Sequence, residues 1–177
     1  MKAYAPLLII AAVLAAFIVL DIAAPLLRPF GSVLGLDGSP GIIDHPEIWS
    51  GMDSVSKTAY WLGDFFCHQD ESRTFILNGN EMPICIRDVA LITSVTFGLI
   101  LAAKFWDLSS GMDRRMTLVC VLLVLITPIE WALEGALNLD VPALRIIVSI
   151  PTGIAGAFIV STVINSSTLS ISDGGRV

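Results

Sequence analysis

At 177 residues and 18.9 kDa the chain has room for one domain, yet 55% of it is hydrophobic, only 15% is charged, and its mean hydropathy is +0.81. Soluble domains run at roughly 45–50% apolar and about 25% charged residues. The apolar excess here sits in long uncharged runs, which excludes a soluble enzyme. A formal charge of -6 and a pI of 4.7 exclude nucleic acid as a partner, since phosphate binding needs a surplus of Lys and Arg, and three cysteines are too few for a disulfide scaffold.

In chain order, residues 3–27 form the first predicted span. Lys2 and the Ala-rich run resemble a signal peptide, but the apolar stretch exceeds the usual h-region of about 7–15 residues, so a retained helix is expected. Residues 28–87 form a long connector, rich in Trp, Tyr and Phe and therefore expected to be ordered. Within it Asp44-His45-Pro46 reads as a helix start, and Thr58 to Phe66 as an amphipathic helix in the headgroup region. Asn78-Gly79 between two apolar stretches predicts a two-residue type I′ hairpin in which Leu77 pairs with Asn80 and Ser72 lies opposite Cys85. Three more spans follow at about 88–106, 116–137 and 146–168, the first closing on the interfacial aromatics Phe105 and Trp106. The expected fold is an all-α integral membrane protein, a single four-helix membrane domain over residues 1–177 with a short amphipathic helix and a β-hairpin in its long loop.

The connector between spans two and three carries Lys104, Arg114 and Arg115, and Lys2 shares its side. The positive-inside rule then puts both termini in the cytoplasm of a multi-pass cell-membrane protein. The connector at 28–87 holds eight acidic against four basic residues and would face outward. With alternating spans, Asp21, Asp88, Glu130 with Glu134, and Arg145 occupy the four helix ends on the side of that loop. Glu130, Glu134 and Asn138 recur at i, i+4, i+8 and share one helix face. Two such carboxylates need a proton or a cation between them, and Arg145 or a metal ion could supply it. Gly153 with Ala157 is a small-xxx-small pair suited to close helix contact.

The hairpin returns Cys85 toward Cys67-His68, and Asp88 follows Cys85 by one helical turn. Cys67, His68, Cys85 and Asp88 thus form a thiolate, imidazole and carboxylate set of the kind that holds Zn²⁺. Adjacent Cys67 and His68 diverge by about 100° on a helix, so only one of the two is expected as a ligand, with Glu130 or Glu134 completing the shell. A single Cys67–Cys85 disulfide is the competing reading. Cys120 lies among Leu and Val and reads as a small hydrophobe.

At Cys67-His68-Gln69, Arg73, Gly79, Pro83-x-Cys85-x-Arg87, Glu130, Asn138, Arg145 and Gly153 the chain resembles the small prokaryotic membrane proteins of domain-of-unknown-function family 2085. The resemblance covers residues 60 to 160. The family pattern reads approximately C-H-Q-x-x-x-R-S-F and P-x-C-x-R-C-T-G, and it implies a membrane location without implying a particular reaction. Asp88 stands where that pattern has its second Cys, and Val89-Ala90 where it has T-G. Cys85-x-x-Asp88 keeps a metal ligand and loses a redox partner, which favours metal over dithiol chemistry.

The leading expectation is a polar, Zn-binding mouth formed by Cys67, His68, Cys85 and Asp88. Glu130 and Glu134 would act as catalytic bases, and Arg73, Arg87 and Arg145 would bind an anionic, lipid-like substrate for metal-dependent hydrolysis or transfer. Two other classes stay open: an ion or small-molecule transporter using Asp21, Glu130 and Glu134, and a disulfide-stabilised membrane protein without catalysis. A quinone-linked disulfide oxidoreductase is disfavoured by the missing C-x-x-C.

Overall fold

The computed structural model describes residues 4–39, 41–105, 111–137, 139 and 141–174, with side chains up to residue 166. Lys2, Trp106 and Asn138 lie outside the described residues. Four helices are long and apolar enough to cross a bilayer: α1 (Tyr4–Leu27), α4 (Ile86–Phe105), α5 (Arg114–Leu137) and α6 (Pro142–Gly174). The loop between α1 and α4 carries α2 (Pro46–Ser50), α3 (Ser54–Phe66), a 3-10 turn at Glu71–Arg73, and strands β1 (Thr74–Leu77) and β2 (Asn80–Cys85). The last span begins four residues before the expected boundary because Pro142 suits the first helical position, where no N–H is required. Arg145 therefore sits within the helix.

The chain divides into two compact units, residues 16–89 and residues 1–15 with 90–177. In the second unit Leu7, Ala11, Leu99 and Ala157 form a buried cluster. Gly153 and Ala157 of α6 face Ser94 and Gly98 of α4. A Cβ on Gly153 would lie 2.8 Å from Leu91 O and 3.0 Å from Ser94 Cβ, and one on Gly98 would lie 2.7 Å from the Ala157 Cβ. The small-residue pair thus serves contact between helices of one chain. Between α5 and α6, Thr127 Oγ1 donates to Thr152 Oγ1 at 2.8 Å, which donates onward to Leu123 O at 2.8 Å.

The first unit is built around the hairpin. Asn78 and Gly79 have φ of +51° and +69°, as a type I′ turn needs, and Leu77 pairs with Asn80. The expected pairing of Ser72 with Cys85 is replaced by Thr74 with Cys85, with an irregularity between Thr74 and Ile76. Pro83 is the physical reason: it has no N–H for the ladder, so β2 bulges there and carries three residues against one on β1. Its carbonyl accepts instead from Gln69 Nε2 at 3.2 Å.

Buried polar groups lock the remaining loop onto this ribbon. Asn80, fully buried, accepts from Val33 N at 2.8 Å and donates to Pro25 O and Pro29 O at 3.0 Å each. Glu81 accepts from Gly35 N and from Leu36 N. Helix α3 starts at Ser54, earlier than the aromatic pattern suggested, because Asp53 caps it by accepting from Val55 N and Ser56 N at 3.0 Å. Its inner face presents Ser56, Ala59, Tyr60, Gly63 and Asp64, while Trp61, Phe65 and Phe66 stay exposed.

Candidate metal centre

Helix α3 ends at Cys67, whose N–H donates to Gly63 O at 2.8 Å and whose φ of -128° and ψ of 154° begin an extended segment. Neighbouring side chains of an extended segment point to opposite sides. Cys67 turns inward and is 5% exposed, whereas His68 turns out, its Nδ1 3.2 Å from Gly38 O. Gln69 then reverses the chain at φ +49°, buried with its side chain on the Pro83 carbonyl. The bulged β2 delivers Cys85 to the same place: its N–H donates to Cys67 Sγ at 3.2 Å and its Sγ–H donates to Asp88 Oδ2 at 3.1 Å. Asp88 stands in the first turn of α4, where the helix dipole favours a negative charge.

Cys67, Cys85 and Asp88 each bring one ligand atom within 4.8 Å of the other two. Tetrahedral zinc with Zn–S bonds of about 2.3 Å sets its ligand atoms about 3.7 Å apart, so closure onto an ion takes movements of about 1 Å or less. The hydrogen bond shared with the Cys85 thiol, helped by N–H groups of Gln69 and Cys85, holds Cys67 below the ordinary thiol range despite burial and the charge of Asp88. The same shared hydrogen bond, with burial and Asp88, pushes Cys85 far up. The two sulfurs and the carboxylate together form a partly buried donor set. Both thiols are free.

His68 is not a member of that set. It lines an open cleft of about 350 Å³ with Gly35, Asp37, Asp70, Glu71 and Arg73. Arg73 Nε lies 3.4 Å from Asp70 Oδ2, and three carboxylates against one guanidinium make this cleft a poor place for an anion. Arg87, in the first turn of α4, is half-buried. In the other unit, Glu134 and Arg145 meet as a buried ion pair, with Arg145 Nε 3.1 and 3.0 Å from the two carboxylate oxygens; they are 5% and 1% exposed. Glu130, one turn earlier on α5, is 6% exposed on a helix whose apolar residues are mostly exposed. Asp21 of α1 is 1% exposed, and neither of its carboxylate oxygens has a hydrogen-bond partner among the described residues.

The stretch from Cys67 to residue 159, more than half of the chain, matches a family described as predicted membrane protein DUF2085. The chain belongs to this family. The DUF2085 match opens on the first thiol of the cluster and takes in Cys85, Asp88, Glu130, Glu134 and Arg145. No curated protein and no solved structure matches the chain. Sequence reasoning passed over Asp64 and Glu81, which are fully buried carboxylates of the loop. Asp64 falls at i+4 from Tyr60 on the inner face of α3, and that spacing was the available signal.

Proposed function

We propose that this four-helix membrane protein binds Zn²⁺ through Cys67 Sγ, Cys85 Sγ and an Asp88 carboxylate oxygen, in a loop facing the outside of the cell membrane. The observation that carries the reading is the convergence of those three atoms within 4.8 Å on two separate arms of the loop, the end of α3 and the β2–α4 junction. The donor set fits the ion: two sulfurs and a carboxylate suit a borderline-soft cation, and a coordinating thiol gives up its proton, so Cys85 would bind as thiolate.

Three protein ligands leave a fourth position open, as in catalytic zinc sites, whereas structural sites close with four. The reading extends to hydrolysis or transfer on a lipid-like substrate. Zinc would supply a polarising charge for a phosphoryl or carbonyl oxygen and a water of lowered pKa. The chain's own contribution is to orient Asp88 from a helix N-terminus, to lower the Cys67 thiol from its ordinary range through its hydrogen bonds, and to hold the exposed Trp61, Phe65 and Phe66 toward headgroups. Glu134 spends both oxygens on Arg145, which leaves it a poor general base.

Elemental analysis of protein purified into nanodiscs should find about one zinc per chain. Cys67→Ala, Cys85→Ala and Asp88→Ala should each lose it, while His68→Ala keeps it. A parent protein without tightly bound zinc, or with Cys67 and Cys85 joined as a disulfide after alkylation and mass spectrometry, would remove the proposal.

A second reading, cation or proton transport, is favoured by Asp21. A buried carboxylate in a spanning helix, with no hydrogen-bond partner among the described residues, is costly unless an ion or proton visits it. Proton flux into liposomes, lost in Asp21→Asn, would support it over the zinc reading.

A further inference from the structure

The loop unit contains a second group of oxygen atoms of different character, around Gly38. Asp64, on the inner face of α3, is fully buried. Its Oδ2 accepts from Trp49 Nε1 at 2.7 Å and from His45 N at 3.1 Å, which ties α2 to α3. Its Oδ1 is buried and has no hydrogen-bond partner among the described residues. An unpaired carboxylate oxygen taken out of water carries a penalty that some positive group must offset.

That oxygen points into a small space beside the Gly38 α-carbon. A Cβ built on Gly38 would lie 3.5 Å from Asp64 Oδ1, 3.3 Å from Asp44 Oδ2 and 3.5 Å from the carbonyl oxygen of His68. Three oxygens of separate segments therefore lie within 3.5 Å of one point beside Gly38. Asp44 reaches this place because its Oδ2 accepts from Ser39 N at 2.6 Å, which curls the loop back on itself. The His68 imidazole leans on Gly38 O at 3.2 Å, holding its own carbonyl against the same residue. The donors are all hard: two carboxylates from separate elements and one main-chain carbonyl, with no sulfur.

We propose that Asp44, Asp64 and the His68 carbonyl bind a hard divalent cation, Ca²⁺, at Gly38, as a site distinct from the thiol cluster. Ca²⁺ takes six to eight oxygens at about 2.3–2.6 Å, and waters from the adjoining open cleft complete the shell. Two carboxylates neutralise its charge. The small number of protein ligands places the site among weak, extracellular-type sites with dissociation constants of about 10⁻⁴–10⁻³ M. Gly38 suits the site because a Cβ there would stand 3.3–3.5 Å from all three oxygens and crowd an ion held between them. Binding fastens Gly38 and Asp44 to the α3 end, next to Cys67.

Terbium, which replaces Ca²⁺ and is excited through nearby tryptophan, reports on this site directly, since Trp49 shares the Asp64 carboxylate. Full-length protein in nanodiscs should show sensitised emission that millimolar Ca²⁺ displaces. Gly38→Ala crowds the position without removing a charge, and Asp44→Asn removes one ligand charge. Each should weaken terbium binding about tenfold or more. The Cys85→Ala variant should keep the emission, which separates this site from the zinc proposal. The near-ultraviolet dichroism of the stacked Trp49 and Tyr60 rings certifies the fold. Asp44 is exposed, so Asp44→Asn keeps the test decisive should Gly38→Ala disturb the loop. Absence of Ca²⁺-displaceable emission in the parent, or equal affinity in the parent and Asp44→Asn, overturns the proposal.

Discussion

Replacing Gly63 by Ala tests how the thiol cluster is held together without touching a ligand. Gly63 lies on the inner face of α3, four residues before Cys67, and its missing side chain lets β2 approach. An added Cβ would meet the Pro83 carbonyl oxygen, and would lie 2.7 Å from the Pro83 carbonyl carbon and 2.8 Å from the Pro83 Cβ. Ordinary contacts begin near 3.4 Å, so β2 must retreat by at least 0.7 Å. The obstacle is backbone, so no side-chain rotation relieves it. The same seam carries the Tyr60 Oη hydrogen bond to Glu81 O at 2.6 Å and the Gln69 bond to Pro83 O at 3.2 Å. Overpacking costs up to about 3 kcal/mol, each weakened hydrogen bond about 1, and the helix regains about 1 from Ala over Gly. The balance is a loss of about 2–4 kcal/mol from the loop unit.

The consequence for the metal is sharper than for stability. Closure onto zinc already asks for movements of up to about 1 Å, and a further retreat of 0.7 Å carries Cys85 and Asp88 together away from Cys67, well beyond the roughly ±0.2 Å that zinc–ligand distances tolerate. Gly63→Ala should therefore lose zinc in elemental analysis and lower the denaturant midpoint followed by tryptophan fluorescence. Gly135→Ala is the control, because a Cβ there meets nothing within 4 Å and should be neutral or slightly stabilising. A Gly63→Ala protein with the parent's zinc content and midpoint would refute both the packing argument and the site geometry derived from it.

Glu134→Gln leaves Arg145 buried beside a neutral partner and should destabilise the helical unit by about 3–5 kcal/mol in detergent unfolding, whereas a Glu134→Met, Arg145→Met double variant should recover much of that loss. Glu81 is held above its ordinary value of 4.5 by burial, which outweighs the N–H groups of Gly35 and Leu36. The folded loop thus binds that proton more tightly than the unfolded chain does, so its contribution to stability is full below pH 4.5 and is lost as the pH rises through the folded value. Glu81→Gln, neutral at every pH, should flatten this slope in unfolding experiments run on either side of pH 4.5.

The spans were legible because a bilayer demands one simple property, a long and predominantly apolar run with few charges, and each of the four helices supplies it. The hairpin turn was legible for a similar reason, since Asn-Gly is suited to two consecutive positive φ angles. Cys67, Cys85 and Asp88 come together as neighbours, though not through the register that the sequence suggests. The expected register set Ser72 opposite Cys85, and the bulge at Pro83 replaced it with Thr74. A missing N–H announces that the ladder will break, but how many residues the break absorbs depends on Gln69 filling the gap from another segment. The orientation of His68 was hidden for the same kind of reason. A helix would have spread it about 100° from Cys67, but the helix stops at Phe66 and the extended backbone sends the two side chains to opposite sides.

What composition conceals most completely is the buried polar framework of the loop. Asn80, Glu81, Asp64 and Gln69 look in sequence like surface residues, and all four are fully buried. Their burial follows from the loop's own poverty of regular structure. A segment with one two-stranded ribbon leaves many backbone groups without ladder partners, and each must be satisfied when it is covered. Asn80 serves Val33, Pro25 and Pro29, Glu81 serves Gly35 and Leu36, and Asp64 serves His45. In each case a side chain does what a third strand would have done. This framework is rigid because its members are few and mutually dependent, and such rigidity is what holds two thiols from different arms of a loop in hydrogen-bond contact. The loop is therefore better understood as the scaffold of the site than as a lid above it, and its polar core is where substitutions distant from the thiols should first be felt.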